Sequence, residues 1–250
     1  MIKILLLGGT QEGKQLAEQL ATYPQIELIY STARKVPKPA ADYTTIYGGF
    51  GGANGLTKKL KNENFHLLLD MTYPYAAQMS QNAAIAAQLS HTKIWRYQRP
   101  AWTAQPDDRW FFYSTLAEII SAIKPYQRCF FSLGNNLPND MQTTPAYQQW
   151  FIRCRSKQRQ KRAPQKTYLE GQGPFSFEEE LKLLKALQID SLITYDSGGD
   201  AAKTKIEAAR TASIPVFFIS RPTPPQAGRK FGDIDSIEKA LVSDYCLNVA

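Results

Sequence analysis

The sequence has few of the residues that metal sites and disulfide frameworks require. Three cysteines and two histidines are scattered over 250 residues, and their spacing matches no common zinc site. An odd number of separated cysteines argues against structural disulfides and favours a reducing compartment. We therefore expect a cytoplasmic protein with no bound metal.

Long apolar runs are also missing. The most apolar short stretches, such as Ile4–Leu7 and Val216–Ile219, fall far short of the roughly 20 residues that span a bilayer. The N-terminus shows no basic start followed by a cleavage site, so we expect no signal peptide and no membrane association. The chain is 43% hydrophobic, which is enough for one large domain or two modest ones.

Acidic residues are absent from Arg153–Arg162, which contains six basic residues in a chain of formal net charge +8. Such a run binds nucleic acid, attracts an anionic small molecule or forms a solvated loop. Nucleic-acid binding calls for interleaved aromatic side chains or a groove-reading helix. Because neither is present, we expect no nucleic-acid partner.

The sequence does contain a regular alternation of strand-like and helix-like segments, which predicts parallel strands joined by helical crossovers. The alternation restarts near residues 104–116. We predict an α/β protein with two halves, residues 1–110 and 111–250, and a cleft between them that holds the ligands. The strand-like segments are Lys3–Gly8, Ile26–Ser31, Thr44–Gly49, Phe65–Asp70, Thr92–Tyr97, Arg128–Gly134, Trp150–Cys154, Asp190–Tyr195 and Ile214–Ser220.

A glycine-rich turn follows the first predicted strand. Gly8, Gly9 and Gly13 surround Thr10 where the strand ends and a helix begins. Free N–H groups and the positive end of the helix dipole suit a phosphate at such a turn. The match to the dinucleotide-binding fingerprint is imperfect, and a tight turn without a ligand is the alternative.

The second predicted strand ends without an acidic residue. An NAD-binding unit normally places an acid there to hold the ribose hydroxyls, but this chain has none between Glu27 and Asp42. It has Ser31, Thr32, Arg34 and Lys35 instead. Because hydroxyls and cations would receive a 2′-phosphate, we predict NADPH rather than NADH, with an ordinary exposed basic loop as the alternative.

Two more groups follow predicted strands of the first domain. Four glycines surround Phe50 in the turn Gly48–Gly52, which suggests backbone lying flat against a ligand. Thr72, Tyr73 and Tyr75 follow the fourth strand and are expected at the same sheet edge. Packing between domains is the alternative for the tyrosines.

The second domain has comparable loops. Ser197, Gly198 and Gly199 join a strand to a helix that carries Lys203, and Gly173 precedes another helix. No Ser–His–Asp, Cys–His or paired-carboxylate arrangement is evident, so we predict no catalytic side chain. That absence fits hydride transfer, in which the cofactor carries the chemistry.

Together these motifs resemble the precorrin-6A reductases of cobalamin biosynthesis over nearly the whole chain. The motifs are LLLGGTQEG, GGFGGANGL, DMTYPYAAQMSQNAA, RYQRPAW, GQGPFSFEEELKLL, DSGGDAAKTKIEAAR and PVFFISRP. The resemblance implies two Rossmann-like domains with parallel sheets, with NAD(P)H bound by the N-terminal domain and the substrate in the interdomain cleft. It also implies an NAD(P)H-dependent oxidoreductase that transfers hydride to a double bond of precorrin-6A or cobalt-precorrin-6A. The substrate is then a tetrapyrrole polycarboxylate, which the basic excess suits, and we expect a monomer.

Motif and resemblance together assign the site residues. NADPH is expected to be bound by Gly8, Gly9, Thr10, Gly13, Ser31, Thr32, Arg34, Lys35, Gly49, Phe50, Gly51 and Thr72. The substrate is expected to be bound by Tyr73, Tyr75, Arg153, Arg155, Gly173, Ser197, Gly198, Gly199 and Lys203.

The chain departs from the family pattern mainly on the substrate side. A Thr-His-Pro-Phe-like motif is replaced by Thr72–Tyr75, and a Lys-Asn-Ser-Gly-Gly-like motif begins with Tyr195 and Asp196. Either Arg153–Arg162 compensates for the missing groups or the substrate is another anionic molecule. A diverged NADPH-dependent reductase is therefore one alternative, and a non-enzymatic basic module that binds NADPH or nucleic acid is another.

Overall fold

The computed structural model describes residues 1–33, 35, 41–134, 144–155 and 164–248, in which strands and helices alternate along the chain. The first part forms β1 (Ile2–Leu7), α1 (Gln11–Leu20), β2 (Ile26–Thr32), β3 (Thr44–Tyr47), α2 (Gly52–Asn62), β4 (Leu67–Asp70), α3 (Ala77–Ser90) and β5 (Lys93–Tyr97). The middle forms β6 (Trp110–Tyr113), α4 (Leu116–Ala122), β7 (Arg128–Ser132), β8 (Gln149–Cys154), β9 (Lys166–Glu170), α5 (Phe177–Ala186), β10 (Ser191–Tyr195), α6 (Lys203–Thr211) and β11 (Val216–Ile219). The last part forms β12 (Arg229–Phe231) and α7 (Ile234–Tyr245).

The first sheet has the strand order β12-β5-β4-β1-β2-β3, and all its strands are parallel. It belongs to a compact unit of residues 1–100 and 222–250, the first unit. Central strand β1 is apolar and buried from Ile4 to Leu7 because helices cover both faces of the sheet. Ile4 and Leu6 pack into the core on one face, and Leu5 and Leu7 pack into the core on the other.

The second sheet has the order β6-β11-β10-β7-β8-β9 and is also parallel. It belongs to the second unit, residues 101–221. Phe130 packs with the helix residues Leu184 and Ile206 on one face, while Phe131 packs with Ile119 on the other. The predicted α/β class with two parallel sheets is therefore confirmed.

Each sheet shows the strand order typical of Rossmann folds, with its sixth strand taken from elsewhere in the chain. The strand beside β5 is β12, which follows β11 in sequence. The strand beside β11 is β6, which follows β5. The two halves of the chain have thus exchanged their sixth strands.

The division at residues 1–110 and 111–250 differs from the structure at the C-terminal end. Residues 222–250 return to the first unit, where β12 pairs with β5 from Arg229 opposite Trp95 to Phe231 opposite Tyr97. Helix α7 then buries Leu241 in the core that contains Leu16 of α1. A strand of three residues carries too little pattern to show which sheet it joins.

A core substitution in α7 tests whether this helix stabilises the first unit. Leu241→Ala removes a side chain with 0% exposure and should lower the free energy of unfolding by about 2–5 kcal/mol. The control Leu89→Ala, at a position 49% exposed on α3, should cost less than about 1 kcal/mol. Urea denaturation measures both, and equal costs would mean that α7 is not part of this core.

Candidate functional site

The glycine turn after β1 lies at the switch point of the first sheet. Strands β1 and β4 are neighbours there, and the chain leaves β1 towards β2 on one side and β4 towards β5 on the other. Ligands of open α/β sheets bind at the carboxyl ends of the strands at this point. The Thr10 hydroxyl donates to the carbonyl of Met71 at 3.1 Å, which ties the two strand-end loops together.

The N-terminus of α1 is capped so that two N–H groups stay available. The Thr10 side chain accepts a hydrogen bond from the Gly13 N–H at 3.1 Å. The N–H groups of Gln11 and Glu12 lie in the first helical turn and have no acceptor among the described residues. A Cβ on Gly13 would lie 3.2 Å from the Thr10 hydroxyl oxygen, so a side chain there would disturb the cap.

The first two glycines of the turn, Gly8 and Gly9, are each required for a different structural reason. A Cβ on Gly8 would lie 2.2 Å from the ring of Tyr30, so this glycine makes room for an aromatic side chain of β2. Gly9 has φ +107°, and beyond its chain neighbours no described residue lies within 4 Å of an added Cβ, so it combines a left-handed backbone with open space. The Gly9 N–H donates to the Tyr30 hydroxyl at 3.2 Å.

The end of β2 joins the two glycine-rich turns through its backbone. The Ser31 carbonyl accepts from the Gly8 N–H at 2.8 Å, and the Thr32 carbonyl accepts from the Gly48 N–H at 3.0 Å. The side chains of Ser31 and Thr32 are buried, whereas Lys35 is exposed. Arg34, predicted beside them, lies outside the described residues.

The second glycine-rich turn depends on a residue that the sequence analysis did not single out. Gly51 has φ +74° and immediately precedes α2, and Gly49 faces open space. Phe50 packs against the core that contains Leu56. A Cβ on Gly55 would lie 1.5 Å from the Phe50 carbonyl oxygen, so the turn folds back directly over this helical glycine. A glycine inside a helix-like segment was the available signal.

A buried ion pair supports the loop after β4 and was also missed. Asp70 and Arg96 are opposite one another on β4 and β5, with Nε and Oδ2 at 2.9 Å and side-chain exposures of 2% and 4%. The other Asp70 oxygen accepts from the Thr72 N–H at 3.2 Å and from its hydroxyl at 2.7 Å. Arg96 also donates to the Pro225 carbonyl. The rings of Tyr73 and Tyr75 follow, with centroids 5.5 Å apart.

Arg153 lies at the carboxyl edge of the second sheet, but its charge is already balanced. Its guanidinium makes two hydrogen bonds to Glu180, at 2.6 and 2.9 Å, and Glu180 is 2% exposed. The rings of Phe130 and Phe175 lie 4.9 and 4.1 Å from its central carbon. Arg153 is therefore paired with Glu180 within the protein. Net positive charge at the carboxyl edge of the second sheet must come from residues beside this pair.

Lys205 is one such neighbour. Its ammonium group donates to the Ser132 hydroxyl at 2.9 Å, just beyond the Arg153–Glu180 pair. Burial lowers the pKa of Lys205 to about 8, with Glu180 opposing the shift and Arg153 adding to it. A lysine with such a pKa is still largely protonated at neutral pH, so the cluster carries a net positive charge.

The other predicted substrate residues lie around the same sheet edge or just outside it. Ser197 is buried and Gly198 has φ +67°, in the loop between β10 and α6. Lys203 is exposed, with Glu207 3.5 Å from its ammonium group. Gly173 packs near the Phe175 ring, and Arg155 is exposed. Residues 156–162 of the basic run lie outside the described residues.

Two other features are absent from the described part of the chain, a metal-binding cluster and a membrane-spanning helix. No group of three or more His, Cys, Asp or Glu side chains there is arranged to hold a metal ion. None of its helices is both long and apolar enough to cross a bilayer.

The parallel sheets, the capped helix and the open glycine turn together define a nucleotide-binding α/β protein of the Rossmann type. The chain matches the family described as Precorrin-6x reductase CbiJ/CobK over residues 3–242, and it belongs to this family. The predicted resemblance is thereby confirmed. Membership makes the chain an oxidoreductase of cobalamin biosynthesis that uses a nicotinamide cofactor.

Individual relatives support this assignment. The chain is 34% identical over 237 residues to "Precorrin-6A reductase" of Rhodococcus erythropolis, covering 94% of this chain and 95% of the relative. It is 35% identical over 225 residues to the protein of that name from Sinorhizobium sp, with coverages of 89% and 86%. It is 24% identical over 249 residues to "Cobalt-precorrin-6A reductase" of Methanothermobacter thermautotrophicus, with coverages of 94% and 82%.

A solved structure shows the same fold. The protein titled "CobK precorrin-6A reductase" superposes with a TM-score of 0.88 at 29% sequence identity. The match covers 100% of this chain and 99% of that chain.

The contact between Gly55 and Phe50 gives a test of the second turn. Gly55→Ala places a methyl group against a backbone carbonyl, so we expect a loss of about 1–3 kcal/mol in the free energy of unfolding. Gly49→Ala is the matched control, since nothing lies within 4 Å of its added Cβ. Denaturant titration of both variants should separate them, and equal stabilities would refute the close contact.

Proposed function

We propose that this chain reduces precorrin-6A with NADPH. The observation that carries the proposal is the open turn at the N-terminus of α1. Gly9 leaves space above the backbone, and the N–H groups of Gln11 and Glu12 have no protein acceptor among the described residues. These features fit a cofactor pyrophosphate, which needs close backbone approach and N–H donors.

The negative charge of an acidic side chain beside this turn is balanced by an arginine. Glu12 lies in the first turn of α1, where the helix dipole stabilises its negative charge. The same charge would repel a bound phosphate. Arg99 donates to the Glu12 carboxylate at 2.5 Å, and the Arg99 side chain is 11% exposed. The pair brings an arginine to the phosphate side of the first unit and supports the proposed cofactor site.

The preference for NADPH over NADH rests on the end of β2. The chain has no acid between Glu27 and Asp42 to bind an unmodified ribose. The Ser31 and Thr32 side chains lie at the strand end, and Lys35 is exposed after it. Together with Arg34, these groups would bind a 2′-phosphate and stabilise its charge.

The metal-free substrate is favoured by the relatives. Those named for precorrin-6A are more similar to this chain than those named for the cobalt form. Substrate carboxylates would be bound by the loop Ser197–Gly199, by Lys203 and by Arg155. Since Glu180 balances Arg153, we assign the remaining charge of that cluster to Lys205.

When bound, NADPH supplies the hydride that reduces a double bond of the macrocycle. The residues of the chain bind, orient and neutralise charge. Thr72 is held by Asp70 beside the first glycine turn, where it would position the cofactor. Cys129 and Cys154 are buried and form no disulfide, which supports a reducing, cytoplasmic location.

Anaerobic turnover and titration calorimetry test this function. The protein should oxidise NADPH when precorrin-6A is supplied and should act less efficiently on the cobalt form. NADPH should bind at least about tenfold more tightly than NADH, since a charge-assisted phosphate contact contributes roughly 1.5–3 kcal/mol. Arg34→Ala and Lys35→Ala should weaken NADPH binding and leave NADH binding unchanged.

The control is Lys58→Ala, which removes the same charge from an exposed position on α2. It should leave both affinities unchanged. Equal affinities for the two cofactors would contradict the proposed 2′-phosphate site. NADPH binding without turnover of precorrin-6A would show that the substrate is a different one.

A further inference from the structure

Tyr30 is a buried tyrosine of β2 whose ring lies beneath the first glycine turn. Its exposure is 4%, and it belongs to the core that also contains Leu16 and Met71. The ring occupies the space that a side chain on Gly8 would need. Its edge faces the ring of Tyr43, with centroids 5.8 Å apart. The hydroxyl is thereby held in one place at the turn.

The hydroxyl of Tyr30 uses only half of its hydrogen-bonding capacity. It accepts a hydrogen bond from the Gly9 N–H at 3.2 Å. A phenol also donates one hydrogen bond, and no acceptor for this proton is present among the described residues. Buried polar groups normally find partners, so an unused donor at this turn is available to an acceptor atom of a bound ligand.

The surroundings indicate what that acceptor is. Beyond its chain neighbours, no atom of the described residues lies within 4 Å of a Cβ added to Gly9. The neighbouring N–H groups of Gln11 and Glu12 are donors as well. Burial raises the pKa of Tyr30, while the Gly9 hydrogen bond lowers it and Glu18 raises it, so the hydroxyl keeps its proton at neutral pH. These three donors together suit an anionic oxygen.

We propose that the Tyr30 hydroxyl donates a hydrogen bond to a phosphate oxygen of the bound dinucleotide while it accepts from Gly9. This inference rests on the proposed cofactor site at the turn. Tyr30 would then extend the set of backbone donors with a side chain from the second strand. The contact is to the pyrophosphate, which NADPH and NADH share.

The test is Tyr30→Phe, which keeps the ring beneath Gly8 and removes the hydroxyl. Titration calorimetry should show NADPH and NADH binding weakened by the same factor, about tenfold or more. Tyr43→Phe is the matched control, since it removes a neighbouring hydroxyl from the same aromatic pair. Its affinities should equal those of the parent protein.

The other possible results separate failure of this inference from failure of the proposed function. Unchanged or tighter binding by Tyr30→Phe would overturn the inference, because the hydroxyl would then only cap Gly9. Loss confined to NADPH would overturn it too, since the contact would be to the 2′-phosphate. Failure of the parent protein to bind either cofactor would instead refute the proposed function.

Discussion

The buried ion pair between Asp70 and Arg96 is the interaction on which the first unit depends most. It joins β4 to β5 and orients Thr72, whose loop is tied to the glycine turn by Thr10. The same arginine binds the Pro225 carbonyl, in the segment that leads to β12. Removing one partner of such a pair leaves a buried charge and typically costs 3–5 kcal/mol. One contact thus connects the sheet edge proposed to bind the cofactor with the return of the chain from the second unit.

The central strands could be predicted because helices bury them on both faces, which leaves continuous apolar runs such as that of β4. Strands β6, β9 and β12 at the sheet edges were not predicted. Edge strands have one neighbour, and β6 even exposes Phe111 and Phe112. Which sheet a short strand joins depends on distant partners, so the exchange of β6 and β12 left no local signal.

The proposed location of the site rests on one rule, that parallel strands present their carboxyl ends at the same edge. The structural roles of individual residues could not be predicted from this rule. Gly8 accommodates Tyr30, and Gly55 accommodates the Phe50 carbonyl. Arg153 resembles a ligand-binding cation in the sequence, but Glu180 of α5 engages it. Each of these roles depends on a contact between residues of different structural elements. Hydrophobic periodicity along the sequence does not reveal such contacts.

The central claim is that the open turn of the first unit binds the cofactor pyrophosphate. A crystal structure of the protein with NADP⁺ tests it most directly. We expect pyrophosphate oxygens within hydrogen-bond distance of the Gln11 and Glu12 N–H groups. A pyrophosphate bound away from α1, with Gly9 facing solvent, would contradict it.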